Sequence, residues 1–190
     1  MLSGRPGPAL IEMCWDDMAM TGPYQEMPPL DLEPTPALPD DMIAKAAELL
    51  RQAERPLIMV GSGARDAQDE VLALAEKLNA PVTAFRGGRG IMPADHPLAM
   101  SSYAAWQLWE ETDCVIGIGS RMEMIYMRWS GMRSRIVEPD APPHLIRIDI
   151  DSEEMTRLVP HVPVVADAKE ATAALLLSLI HISEPTRQKP

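Results

Sequence analysis

Hydrophobic residues recur along this chain with two alternating patterns. From Asp40 onward, Ile43, Ala46, Ala47 and Leu50 follow the i, i+3, i+4, i+7 spacing of one helix face. Asp40 and Asp41 suit the start of that helix, and Pro56 requires it to end earlier. The run Leu57-Ile58-Met59-Val60 is continuously apolar and closed by Gly61-Ser62-Gly63, which predicts a strand buried on both faces. A second helix follows, with Val71, Leu74, Ala75 and Leu78 on one side. Pro81-Val82-Thr83-Ala84-Phe85 is the next strand, closed by Gly87-Gly88-Arg89-Gly90, and a third helix covers roughly Ser101 to Glu110. Further strands are predicted at Cys114-Val115-Ile116-Gly117-Ile118, at Leu145-Ile146-Arg147-Ile148-Asp149-Ile150, and from Val162 to Val165, with a last helix from about Ala168. Buried strands alternating with helices require crossover connections. The predicted fold is therefore α/β, a doubly wound parallel sheet with helices on both faces.

The first 40 residues do not share this rhythm. Eight of the 19 prolines fall there. Proline fixes φ and removes a backbone donor, so Thr21 to Leu38 reads as an extended linker. Ahead of it, Ala9-Leu10-Ile11-Glu12-Met13 reads as a single strand, which cannot bury its faces alone and so belongs to something larger.

Composition narrows the function. The 190 residues are 46% hydrophobic and 24% charged, in the range of a globular domain. With 17 Lys and Arg against 28 Asp and Glu, the net charge of −11 offers no footprint for nucleic acid. Two cysteines, Cys14 and Cys114, make neither a disulfide framework nor zinc-ligand spacing, and a reducing, cytoplasmic setting is expected. The longest apolar run, Ala171 to Ile182, falls short of the roughly 20 residues that span a bilayer, so no membrane partner is expected.

In an open α/β sheet, ligands bind beyond the carboxyl ends of the strands. Those ends carry Gly61, Ser62 and Gly63, then Gly87 to Gly90, then Gly119, Ser120 and Arg121, and finally Asp149 and Asp167. Glycines let a backbone approach a phosphate, an arginine fork can pair with one, and aspartates can accept from ribose hydroxyls or an adenine amine. The same pattern also fits short strand-to-helix turns that need glycine for conformational reasons alone, and Gly61-Ser62-Gly63 lacks the third glycine of the dinucleotide fingerprint. His96, in Asp95-His96-Pro97, reads as a turn residue, and the 14 methionines read as core filler. Trp106 and Trp109 read as packing residues, and no nucleophile with a neighbouring base is visible.

Several segments then form a familiar succession. Gly4-Arg5-Pro6-Gly7-Pro8-Ala9-Leu10-Ile11-Glu12 resembles the motif closing the pyrimidine-binding domain of thiamine-diphosphate-dependent enzymes of the acetolactate synthase and 2-oxo-acid decarboxylase family. Ala53-Glu54-Arg55-Pro56-Leu57-Ile58 and Gly61-Ser62-Gly63 resemble the start of that family's central domain. So do Ala80-Pro81-Val82, the run from Gly88 to Pro97, Asp113 to Arg121, Ile148-Asp149-Ile150-Asp151 and Asp167-Ala168-Lys169, in the family's order. The resemblance implies a three-domain homo-oligomeric parent, a dimer or tetramer, with thiamine diphosphate and Mg²⁺ held by the pyrimidine- and diphosphate-binding domains. Its activating glutamate would lie upstream of this segment and its Gly-Asp-Gly metal motif downstream, so this segment is expected to be inactive alone. In the family the central domain binds FAD, binds ADP, or is empty. The corresponding positions here are Gly61, Ser62, Gly63, Gly119, Ser120, Arg121, Asp149 and Asp167, although Arg121-Met122-Glu123-Met124-Ile125-Tyr126 departs from the pattern usual for FAD. An empty crevice would be filled by side chains such as Met122 or Tyr126.

The last residues look different. Leu177 to Arg187 resembles the in-frame translation of a transposase-type sequencing adapter, so the chain from Leu177 on is expected to be a non-native tail, poorly packed beyond its first helical turn. The expected organisation is residues 1–20 as the end of a pyrimidine-binding domain, 21–38 as linker, 39–176 as the central domain and 177–190 as tail. The rival is a free-standing nucleotide-binding module of the same fold, against which the orphan N-terminal segment argues.

Overall fold

A computed structural model describes residues 5, 7–29, 32, 34–123 and 143–181. The chain divides after Thr35 into two units. In the first, a single helical turn, α1 (Trp15–Met18), is the one regular element among the described residues. The strand expected over Ala9 to Met13 does not form: these residues carry no ladder partner and stay exposed, Leu10 at 83% and Ile11 at 87%. A strand is defined by its neighbour, and apolar character without one does not make it.

The second unit contains α2 (Asp40–Gln52), β1 (Pro56–Val60), α3 (Gln68–Leu78), β2 (Val82–Ala84), β3 (Ala99–Met100) and α4 (Ser102–Leu108). It continues with β4 (Cys114–Ile118), β5 (His144–Asp149), α5 (Glu154–Arg157), β6 (Val162–Val165) and α6 (Ala168–His181). The six strands form one parallel sheet in the order β3-β2-β1-β4-β5-β6, so the predicted doubly wound α/β fold is the observed one. Strand order reverses between β1 and β4, whose registers align Val60 with Ile118. Two short elements of this unit, β3 and α5, have no counterpart in the sequence pattern. β3 has two residues and α5 has four, too few for either period to show.

Local chemistry ends the helices where expected. Acidic residues occupy the first turns of α2 and α3, and Arg51 and Lys77 the last, matching the helix dipole. Asn79 takes the left-handed conformation (φ 48°) that closes α3, and its N–H reaches the Ala75 and Glu76 carbonyls. Ser101 Oγ caps α4 by accepting from the Ala104 N–H. His96 is the turn residue it was expected to be: its Nδ1 accepts from the Leu98 N–H, and its carbonyl from the Ala99 N–H.

Side chains alternate through the sheet into two apolar layers. Ile58, Val60, Ile116, Ile118, Ile146 and Ile148 face the helical layer containing Ile43, Leu50, Val71, Leu74 and Leu175. Leu57, Met59, Val115 and Leu145 face a smaller layer with Ala105, Trp109, Met122 and Leu158. Trp109 is fully buried, as a packing residue should be, whereas Trp106 stays 42% exposed. Cys114 is buried on β4, and desolvation, reinforced by Asp113, pushes its thiol up to about 12, which keeps it protonated as an apolar filler. Among the described residues no helix is long and apolar enough to cross a membrane.

The C-terminal helix carries the first turn of the expected tail into the core. α6 runs without a break past Leu177 to His181, and Leu179 is 4% exposed within the larger core. Leu177 and Ile180 face outward, and residues 182–190 lie outside the described residues. The same helical period that buries Leu175 returns at Leu179, four residues on. Leu179→Ala is therefore expected to lower unfolding free energy by about 2–3 kcal/mol in urea denaturation. A change within about 0.5 kcal/mol would return the tail to solvent.

Candidate functional site

The reversal of strand order leaves a crevice beyond β1 and β4, where such sheets bind ligands. Its sides are backbone and small side chains. The Gly61 N–H donates to the Ile118 carbonyl at 3.1 Å, and the Gly63 N–H to the Gly119 carbonyl at 3.1 Å. A Cβ on Gly61 would lie 2.2 Å from the Gly119 oxygen, and one on Gly119, at φ +53°, 2.4 Å from the Gly63 carbonyl carbon. These glycines are required first because the two loops touch backbone to backbone. That contact spends the Gly61 and Gly63 N–H groups that could otherwise have faced a phosphate.

The crevice that remains measures about 150 Å³. Buried Met59 and Met122 lie at its floor, with Phe85 beside them. Gly61, Ser62, Gly119 and Ser120 form its sides, and exposed Arg86 and Arg121 stand at its mouth with Glu123. Five of the eight sequence-nominated residues thus share one crevice. Gly63 lies behind it, against Gly119. Asp149 and Asp167 do not line it. Asp149 Oδ1 accepts from the Asp151 N–H, and Asp167 Oδ1 accepts from the N–H groups of Lys169 and Glu170, which makes it the cap of α6. Met122 fills the floor as an empty-pocket reading would have it, while Tyr126 lies outside the described residues.

Arg86 was missed in the sequence. It takes φ +47°, and its guanidinium carbon sits 5.1 Å above the centre of the Phe85 ring. Three non-glycine residues among those described have positive φ. One is the helix cap Asn79, and the other two, Arg86 and Met122 (φ +54°), both line this crevice. Backbone strain of this kind gathers at functional sites.

Behind Arg121 stands a polar node that the strand pattern also concealed. Arg147 is fully buried on β5; its Nη2 donates to the Ser120 carbonyl at 3.1 Å, and its Nη1 to the Glu154 and Leu158 carbonyls. Burial pulls its guanidinium below the ordinary value, against the Asp149 and Glu154 charges. Burial raises the Glu154 carboxyl, but Arg157, Arg121 and Arg147 outweigh it and hold the group below the usual carboxylate range. Glu154 Oε1 accepts from Arg121 Nε at 3.0 Å and Oε2 from Arg157 Nη2 at 2.6 Å. One signal was available for the node. A charged residue within the apolar run Leu145-Ile146-Arg147-Ile148 demands buried partners.

Among the described residues, no group of three or more His, Cys, Asp or Glu is placed to hold a metal ion. The crevice offers an anion two arginines and the hydroxyls of Ser62 and Ser120, and it offers a base or sugar the apolar floor and the Glu123 carboxylate at the mouth.

Comparisons with known proteins agree with the fold that carries this crevice. Residues 43–175 match the family model described as "Thiamine pyrophosphate enzyme, central domain". The chain is 35% identical to the "Probable acetolactate synthase large subunit" of Methanocaldococcus jannaschii, over 94% of this chain and 32% of that protein. It is 33% identical to the glyoxylate carboligase of Escherichia coli O157:H7, over 93% of this chain and 30% of that protein. The crystal structure of benzoylformate decarboxylase from Polynucleobacter necessarius superposes with a TM-score of 0.59 at 22% identity, covering 82% of this chain and 30% of that one. The chain thus spans about a third of the length of the curated relatives it matches.

The contact between the two loops yields a direct test. Gly61→Ala places a Cβ inside the Gly119 carbonyl and is expected to cost about 3 kcal/mol or more in thermal or urea unfolding. Unchanged stability would show that the loops stand apart and that the glycines answer to a ligand instead.

Proposed function

The chain belongs to the thiamine pyrophosphate enzyme family, as its central domain, and from that premise we propose that it is the middle part of an enzyme that cleaves or joins carbon–carbon bonds of 2-oxo acids, in which its own strand-end crevice seats the phosphates of an adenine nucleotide. The observation that carries the second half is the pair Arg86 and Arg121 at the mouth of a crevice set at the reversal of strand order. In an acidic chain of net charge −11, two guanidiniums gathered there favour an anion. A volume of about 150 Å³ is below the roughly 300–1,000 Å³ of whole-ligand pockets, so the phosphates enter and the base and ribose lie outside. ADP and FAD share this diphosphate, and the test separates them. Asp149 and Asp167 stay at the same edge of the sheet, after β5 and β6, but serve their own turns and contribute no phosphate contact.

Similarity to an acetolactate synthase subunit and to a glyoxylate carboligase supports the first half of the proposal. Thiamine diphosphate supplies such enzymes with an electron sink for the carbanion. The role of this domain is to hold the crevice and its nucleotide, while the carbon–carbon chemistry belongs to the pyrimidine- and diphosphate-binding domains of the parent.

Two outcomes follow. Calorimetry on the purified chain is expected to show ADP or FAD binding at up to millimolar concentration, weakened about tenfold or more by Arg121→Ala, the loss of one charge-assisted pair. Absence of binding by either ligand would leave the domain a structural spacer. With thiamine diphosphate and Mg²⁺ supplied, the chain alone is expected to leave pyruvate unconsumed. Turnover would show that it carries the catalytic groups itself.

A further inference from the structure

Arg121 is held from three directions by residues the crevice does not contain. The buried Arg147 binds the Ser120 carbonyl, one residue before it. Arg157 Nη2 donates to the carbonyl of Arg121 itself at 2.6 Å. Glu154, 7% exposed on α5, accepts from its Nε. Glu154 is in turn fixed by Arg157 at 2.6 Å and faced by Arg147 at 3.6 Å. The Nη groups of Arg121 donate to no acceptor among the described residues. Glu123 pairs with Nη1 at 3.9 Å, outside hydrogen-bond distance.

A guanidinium carries five N–H donors in a rigid fork. Bound through Nε alone, it keeps its Nη edge for a bidentate partner such as a phosphate. We propose that Glu154 is a positioning residue, which grips Arg121 by its Nε edge so that the Nη edge at the crevice mouth is ready for a diphosphate. This rests on the nucleotide reading of the crevice and assigns the group that prepares it. Preorganisation is the physical gain, because a long side chain already ordered by Glu154 loses less freedom when the anion arrives. The opposite role, in which Glu154 competes with the anion for Arg121, fits less well. Arg157 and Arg147 already fix the carboxylate, and the Nε edge it takes is the one a bidentate Nη contact leaves unused.

The test uses the full chain, inorganic pyrophosphate and ADP as ligands, and two readouts, calorimetric Kd and the Arg121 Nε–H resonance. In the unmodified chain, that resonance is expected to be protected from exchange and to persist on saturation with pyrophosphate; its loss on binding would mean that Glu154 competes, overturning the proposal. Glu154→Ala is expected to raise Kd about 5- to 10-fold, the cost of ordering one long side chain, and to abolish the Nε–H protection. In an Arg121→Ala background the same change should add nothing. Glu154→Gln retains an acceptor without the charge and is expected to restore both readouts to near the unmodified chain, which keeps the question open to measurement if the alanine variant does not fold. An unchanged Kd in Glu154→Ala, tighter binding in either variant, or a Gln variant as weak as Arg121→Ala would each overturn the positioning role while leaving the crevice reading intact. An unmodified chain that binds neither ligand would overturn both.

Discussion

Everything at the carboxyl edge of this sheet depends on the backbone contact between the loops after β1 and β4. Gly61 and Gly63 bond to the carbonyls of Ile118 and Gly119, and no side chain fits between them. Because strand order reverses at this point, the loops leave in opposite directions and would normally diverge into an open cleft. Their contact narrows that cleft to a small crevice with Arg121 at its mouth, and the loop after β2, packed on Val60 and Ser62 through Gly88 and Gly87, adds Arg86. The size of the site, and hence the part of a ligand it can enclose, follows from two glycines meeting.

A second constraint acts from below. A fully buried arginine on a central strand is expensive, and it is tolerated where its donors are met. Arg147 meets its Nη donors through the carbonyls of Ser120, Glu154 and Leu158, and the Glu154 carboxylate offsets its charge from 3.6 Å. In doing so it ties β5, the loop after β4 and α5 into one unit. The crevice wall is therefore set by charge satisfaction on one side and by glycine contact on the other. Met122, held at positive φ against Gly117, closes the floor between them.

These two devices divide stability from function in a recognisable way. The large apolar layer around Ile58, Ile116 and Ile146 packs helices against the sheet, and none of its residues lines the crevice. The smaller layer, with Trp109 and Met122, supports the crevice floor. Positions of backbone strain occur at the crevice and at a helix cap, and none among the described residues lies within a strand.

Periodicity made most of the framework legible. The helix faces Ile43-Ala46-Ala47-Leu50 and Val71-Leu74-Ala75 and the apolar runs of β1, β4 and β5 state burial directly, because burial on one face or two imposes a period on the sequence itself. Glycines and Arg121 at the strand ends marked the edge where the crevice lies, since that edge follows from strand direction. Tertiary structure decided what each of those residues does. Gly61 and Gly119 serve each other, Asp167 caps a helix, Leu179 joins the core, and Ala9 to Met13 forms no strand. Arg86 and the partners of Arg147 emerged only in three dimensions. The reason is physical: a period reports which side of an element is buried, whereas a contact between residues 58 or 33 positions apart, such as Gly61 with Gly119 or Arg121 with Glu154, exists only once the sheet has set their distance.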